Sequence, residues 1–130
     1  MENHELVVLA KKAMKHAYVP YSKFQVGAAL LSKDGEVYLG CNVENASYGA
    51  TICAERTAMT KAISEGAREF EKIAVVASSG DFASPCGICR QFLYEFMPEG
   101  EVILGSDKEG IKVMRLDELL PMGFRGEDIK

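Results

Sequence analysis

Three cysteines constrain this chain more than any other feature. They stand in two clusters, Cys53-Ala54-Glu55 and Pro85-Cys86-Gly87-Ile88-Cys89. Thiolates bind zinc, and catalytic zinc sites use three protein ligands with the fourth position left for water. A fold that serves these residues must bring two distant segments to one point. Glu55, two residues past the first cysteine, is placed to move protons on that water. The pattern predicts hydrolytic chemistry rather than a closed structural metal site.

Composition narrows the alternatives. The chain has 130 residues, no evident linker and 48% hydrophobic content, which predicts one globular domain over 1–130. Its apolar runs are too short to span a bilayer. The start, Met-Glu-Asn-His-Glu, lacks a basic segment followed by an apolar one, so the reading is an intracellular, cytoplasmic protein without a membrane partner. Net charge is -4 and no basic run appears, which disfavours a nucleic-acid partner and favours a small substrate. The chain has four cysteines; the lack of a secretion signal and the Cys-x-x-Cys pair favour metal binding over disulfides. A redox Cys-x-x-Cys pair at Cys86 and Cys89 is the competing reading, but it leaves Cys53 and Glu55 unexplained. Three buried structural cysteines are a second competing reading.

The patterning predicts the elements that carry these residues. Leu6, Leu9, Ala10, Ala13, Met14 and Ala17 recur at helical spacing, for a first helix ending near Tyr18. Phe24 to Leu31 and Val37 to Cys41 read as strands joined by an Asp34-Gly35 turn. Asn42 to Ala50 reads as a loop. Thr51 is the expected cap of a helix from Ile52 to about Glu65, stopped by Gly66. Ile73 to Ala77 is apolar throughout, as in a strand buried on both faces at the middle of a sheet. Ser84 is the expected cap of a helix with Pro85 at its first position, ending near Met97. Glu101 to Leu104 and Ile111 to Leu116 are further strands, and Asp117 caps a last short helix stopped by Pro121. The expected architecture is α/β: a five-stranded mixed sheet with helices on both faces, its first two strands antiparallel and its later strands favouring parallel pairing.

On this reading Cys53 and Cys86 occupy equivalent places, each two residues after a capping Thr51 or Ser84, so two helix N-termini point at one metal. The positive helix ends favour thiolates. Zinc with three thiolates carries a formal negative charge, which weakens it as an electrophile. Arg56 is therefore a candidate donor to the sulfurs, offsetting that charge; the plainer reading is a surface arginine paired with an acid. For Glu55 the plainer reading is an acid favoured in a first helical turn. His4 and His16 lie in or near the first helix and read as surface residues.

The residues also match a known pattern. Tyr21-Ser22-Lys23-Phe24-Gln25-Val26-Gly27-Ala28-Ala29, Gly40-Cys41-Asn42-Val43-Glu44-Asn45-Ala46-Ser47-Tyr48, Cys53-Ala54-Glu55-Arg56-Thr57-Ala58 and Ser84-Pro85-Cys86-Gly87-Ile88-Cys89-Arg90-Gln91 resemble the cytidine deaminase family in its short, homotetrameric, three-cysteine form. The resemblance spans nearly the whole chain. It implies a three-layer α/β/α fold and one zinc ion per subunit, held by Cys53, Cys86 and Cys89. It implies hydrolysis of cytidine or 2′-deoxycytidine to the uridine nucleoside and ammonia, with Glu55 carrying the proton. Phe24 matches the aromatic that packs on the pyrimidine. Asn42 and Glu44, with Val43 between them, match the pair that holds the ribose 3′-hydroxyl. The backbone at Ala54 and Ser84 matches groups that bind the base. Asn45, Ala46, Tyr48 and Phe124 match contacts made to a neighbouring subunit's site. Ile88 departs from the family, where a small residue is common; it is expected to face away from the metal. Cys41, outside the motif, reads as a small buried residue. Deamination of a related aminopyrimidine such as blasticidin S, and a non-catalytic zinc-stabilised interaction module, are the alternatives.

Overall fold

A computed structural model describes residues 1–129. Its secondary structure begins with α1 (Asn3–Met14), the hairpin β1 (Val26–Ser32) and β2 (Val37–Cys41), then α2 (Ala54–Ser64) and β3 (Phe70–Ala77). It continues with α3 (Gly87–Phe96), β4 (Glu101–Ser106), β5 (Gly110–Arg115) and the short α4 (Leu116–Leu119). The five strands form one sheet in the order β2-β1-β3-β4-β5. β3 is central, as the unbroken apolar run at Ile73 to Ala77 predicts. Among the described residues no helix is long and apolar enough to cross a membrane.

Strand alternation splits the core into two layers. Ala29, Leu31, Ala74, Val76 and Ile103 face α1 and pack on Leu6, Val7 and Ala10. Ala28, Leu30, Ile73, Val75, Val102 and Leu104 face the other way, onto Ala58 and Met59 of α2, Leu93 of α3 and Leu116 of α4. Neighbouring positions on one strand serve opposite faces because side chains alternate with period two. The three-layer α/β/α expectation holds.

The expected parallel pairing of the later strands holds only once. β3 and β4 are parallel, but β4 and β5 are antiparallel and joined by a tight turn. Of the two connections that follow β3, only the one to β4 contains a helix, and a parallel pair needs such a crossover. β1 also pairs antiparallel with β3.

Two glycines set how closely helices approach the sheet. A Cβ on Gly27 in β1 would lie 2.1 Å from the Ala10 carbonyl oxygen of α1. A Cβ on Gly40 in β2 would lie 2.5 Å from both the Ala54 carbonyl oxygen and the Ala58 nitrogen of α2. Helix backbone therefore rests on strand backbone at both points. Gly40 thereby fixes the start of α2, where Cys53 and Glu55 stand.

Candidate active site

The expected helix caps are displaced. Cys53 itself is the N-cap of α2 and Cys86 the N-cap of α3, both in extended backbone with φ/ψ of -75/156 and -69/170. Their carbonyls accept the first helical hydrogen bonds, from Thr57 N–H at 3.0 Å and Arg90 N–H at 2.9 Å. Thr51 and Ser84 are not caps: the Thr51 carbonyl accepts from Arg56 Nη2, and the Ser84 hydroxyl accepts from Arg90 Nη2. Asp117 likewise lies within the first turn of α4, whose N-cap is Arg115. The predicted equivalence of Cys53 and Cys86 survives, because each cysteine is itself the N-cap at the positive end of its helix, though neither sulfur hydrogen-bonds the helix N–H groups.

Cys89 belongs to the first turn of α3 and faces back to its own N-cap. Cys86 Sγ and Cys89 Sγ are 3.5 Å apart, and Cys53 Sγ and Cys86 Sγ are 3.9 Å apart. All three sulfurs lie within 4.8 Å of one another. A tetrahedral zinc with Zn–S bonds of about 2.3 Å spaces its sulfurs by about 3.8 Å. The donor set thus fits zinc in both chemistry and spacing. Among the described residues the group contains no fourth His, Cys, Asp or Glu, as an open catalytic site requires.

Burial and charge divide the thiols. The hydrogen bond from Cys89, aided by Arg56, holds the Cys53 thiol down to about 5. The same hydrogen bond to Cys53, with burial, pushes the fully buried Cys89 up. Arg56 Nη2 lies 3.7 Å from Cys53 Sγ and 3.2 Å from the Thr51 carbonyl oxygen, while its buried Nε has no partner. The expected contact from Arg56 to a sulfur is therefore present, and no acid pairs with it among the described residues. Glu55 is only 4% exposed. Burial, reinforced by the charge of Cys53, pushes its carboxyl up to about 7.

These groups open into a cleft of about 280 Å³. Cys53, Ala54, Glu55, Ser84 and Cys86 line it together with Phe24, Asn42 and Glu44. Eight of the expected site residues therefore meet in one cavity. Ser22, Val26, Thr51, Val75 and Ala83 also line it, though none of them was expected as a site residue. Ser22 was visible in the sequence only as a member of the Tyr21–Phe24 motif.

Asn42 and Glu44 already carry structural duties. Asn42 Oδ1 accepts from the Val26 N–H at 2.9 Å, and its Nδ2 donates to the Phe24 carbonyl oxygen at 2.9 Å. Glu44 accepts from the N–H groups of Tyr21 and Ser22 at 3.0 and 3.1 Å, and from Ser22 Oγ at 2.5 Å. The hydrogen bond from the Ser22 side chain holds the Glu44 carboxyl below its ordinary value. An amide and a carboxylate each retain capacity beyond these bonds, so a ligand hydroxyl can still be met.

The remaining expected residues lie outside this cleft. Val43 forms backbone bridges to Tyr18 and Ile52 and is 41% exposed. Asn45 and Ala46 are exposed loop residues. Tyr48 is 73% exposed and stands edge-on to Tyr21, with ring centroids 5.6 Å apart. Phe124 is exposed beyond α4, its carbonyl accepting from Gln91 Nε2. Ile88 is exposed, as expected of a residue facing away from the metal. Cys41 is half-buried rather than buried, and desolvation pushes its thiol up. His4 and His16 are exposed.

A family profile described as the cytidine and deoxycytidylate deaminase zinc-binding region matches residues 1–106. The chain belongs to this deaminase family. Among curated relatives, the cytidine deaminase of Sporosarcina psychrophila is 50% identical over 99% of this chain and 96% of its own length. That of Halalkalibacterium halodurans is 52% identical over 99% and 98%. Among solved structures, the cytidine deaminase of Burkholderia pseudomallei superposes with a TM-score of 0.91 at 48% identity, covering 95% of this chain and 100% of that one. As a member of the deaminase family, the chain is a zinc-dependent hydrolase, with Cys53, Cys86 and Cys89 forming the group that fits its metal.

Proposed function

We propose that the chain deaminates cytidine and 2′-deoxycytidine with water, giving uridine or 2′-deoxyuridine and ammonia. The observation that carries this reading is one cleft lined both by Cys53, Cys86 and buried Glu55 and by Phe24, Asn42 and Glu44. Zinc held by Cys53, Cys86 and Cys89 would supply the Lewis acidity that makes a nucleophilic water available near neutral pH.

Glu55 takes a proton from the attacking water, passes it to the ring N3 and then helps protonate the departing amine. In the balance, the water oxygen bonds to C4, its first proton stays on N3, and its second passes by way of Glu55 to the exocyclic amine, which leaves as ammonia as the exocyclic C4–N bond breaks and the C4 carbonyl forms. Phe24 packs against the pyrimidine face. Asn42 and Glu44 hold the ribose 3′-hydroxyl with the capacity their structural bonds leave free, while Val43 contributes backbone between them. The backbone at Ala54 and Ser84 meets the base carbonyl and amine. Arg56, 3.7 Å from Cys53 Sγ, withdraws charge from the thiolate.

Residues 1–130 read as one deaminase domain, supported by the family match through residue 106. A homotetramer with shared sites is the proposed assembly, in which Asn45, Ala46, Tyr48 and Phe124 face a neighbour's cleft. Their exposure, with that of Tyr21 and Ile52, supports it. The proposed setting is pyrimidine salvage in the cytoplasm, with a nucleoside rather than a nucleic acid as partner. A structural zinc module is not favoured, because such sites use four protein ligands.

The test is the ultraviolet absorbance of cytidine in the presence of the protein. The expected result is a fall in absorbance that a zinc chelator stops and added zinc restores. Zinc-loaded protein that leaves cytidine unchanged overturns the reading.

A further inference from the structure

Arg90 directly follows the last motif cysteine, and nothing in the chemistry above uses it. Its guanidinium is committed to oxygens on two other segments. Nε donates to the Pro85 carbonyl oxygen at 2.7 Å, Nη2 to Ser84 Oγ at 2.8 Å and Nη1 to the Leu119 carbonyl oxygen at 2.8 Å. Among the described residues it forms no ion pair with an acid. An arginine that gathers three neutral oxygens is acting as a brace, using the fixed fork of its five donors.

What it braces is one wall of the cleft. Ser84 lines the cavity, and Pro85 is fully buried immediately before Cys86, the N-cap of α3. A buried carbonyl without a donor is costly, and Arg90 Nε supplies the donor. The same side chain ties this wall to the end of α4 through Leu119. The wall from Ser84 to Cys86 is otherwise a connection without helix or strand, between β3 and α3.

We propose that Arg90 is a positioning residue for deamination: it fixes the Ser84–Pro85 wall so that the cleft-facing backbone of Ser84 and the Cys86 sulfur keep their places during turnover. This rests on the deaminase reading above. Small displacements of positioning groups are felt in rate, up to about a hundredfold for roughly 1 Å. Lysine cannot reproduce the brace, because one ammonium on a flexible stem lacks the planar fork that reaches three separate oxygens.

The test compares wild type, Arg90→Lys, Ser84→Ala and the double variant, each zinc-loaded, for cytidine kinetics, zinc content and thermal midpoint. Arg90→Lys is expected to lower kcat by about tenfold or more with zinc content unchanged. Ser84→Ala removes one of the three bonds at an exposed position and should lower kcat by less. The double variant should fall no further than Arg90→Lys, because the two residues share a contact. A purely structural brace would instead lower the thermal midpoint and leave kcat, measured well below it, at the wild-type value. That outcome in both single variants overturns the proposal. Should Arg90→Lys fail to fold, Ser84→Ala decides alone, and unchanged kcat overturns the proposal. Wild-type protein inactive on cytidine overturns the functional reading and this inference with it; an active wild type with unaffected variants overturns this inference alone.

Discussion

Glu44 builds the turn that carries Phe24. Its carboxylate accepts from Tyr21 N–H, Ser22 N–H and Ser22 Oγ, and Ser22 Oγ in turn accepts from Phe24 N–H at 3.0 Å. Between them Lys23 adopts a left-handed backbone with φ of 62°. That conformation is disfavoured for a side chain of this kind and persists only where its surroundings enforce it. One side chain thus serves two ends of the proposed nucleoside site, the sugar directly and the base through the turn.

Glu44→Ala should therefore cost more than a lost sugar contact. KM for cytidine is expected to rise by about tenfold or more, as for loss of hydrogen bonds to a charged group. Ser22→Ala should raise KM less. Equal KM in wild type and Glu44→Ala would contradict the link between Glu44 and the turn.

The same carboxylate predicts an acid sensitivity. Its folded value lies below the ordinary 4.5, chiefly through the Ser22 hydroxyl. A depressed value means that the folded state favours the charged form, so its stabilising contribution is complete above 4.5 and is lost as pH falls through the lower folded value. Thermal midpoints of wild type and Glu44→Gln should differ by a constant amount from neutrality down to that point and converge below it. A gap that widens in acid is the contrary result.

Glu55→Gln should separate chemistry from binding. Turnover should fall by about a hundredfold or more, the usual range for a lost general acid–base, while zinc content stays at one ion per chain. The variant should be at least as stable as wild type, because a buried ionisable carboxyl is replaced by a neutral amide. Deamination at the wild-type rate would remove Glu55 from its assigned role.

Zinc should join α2 to α3, because Cys53 caps one helix and Cys86 and Cys89 belong to the other. Adding zinc to metal-free protein is expected to raise the thermal midpoint in a concentration-dependent way, worth about 2.7 kcal/mol at a hundredfold excess over Kd. Cys53→Ser should weaken this response. A midpoint indifferent to zinc would count against the three-sulfur site.

Gly40→Ala should reach the site from behind. The new Cβ would meet backbone atoms of Ala54 and Ala58 at 2.5 Å, which no side-chain rotation relieves. A loss of about 1–3 kcal/mol in stability is expected from such overpacking, with a fall in kcat as the first turn of α2 shifts. Full activity and stability in this variant would show that α2 does not depend on that contact.

Different parts of this molecule were legible in the sequence for different reasons. The convergence of Cys53, Cys86 and Cys89 could be read because metal chemistry restricts residue types and spacing. The central place of β3 could be read because both of its faces are apolar. The helix starts were misread because Thr51 and Ser84 are strong capping residues in general, whereas here their polar groups serve Arg56 and Arg90 from a turn away. The pairing of β4 with β5 was misread because the short turn between them left no helix for a crossover. The bracing of Phe24 by Glu44 joins residues about twenty apart through main-chain donors, and no local pattern announces such a bond.

At Gly27 and Gly40, backbone meets backbone, so the spacing of α1 and α2 from the sheet is set by the thickness of the chain itself. Side chains elsewhere in the core fill space that those two contacts have already defined. A volume-conserving exchange such as leucine for methionine elsewhere in the core should then move Cys53 and Glu55 less than one methyl added at Gly40. The two glycines are therefore the places where the smallest possible side chain would push a whole helix off the sheet.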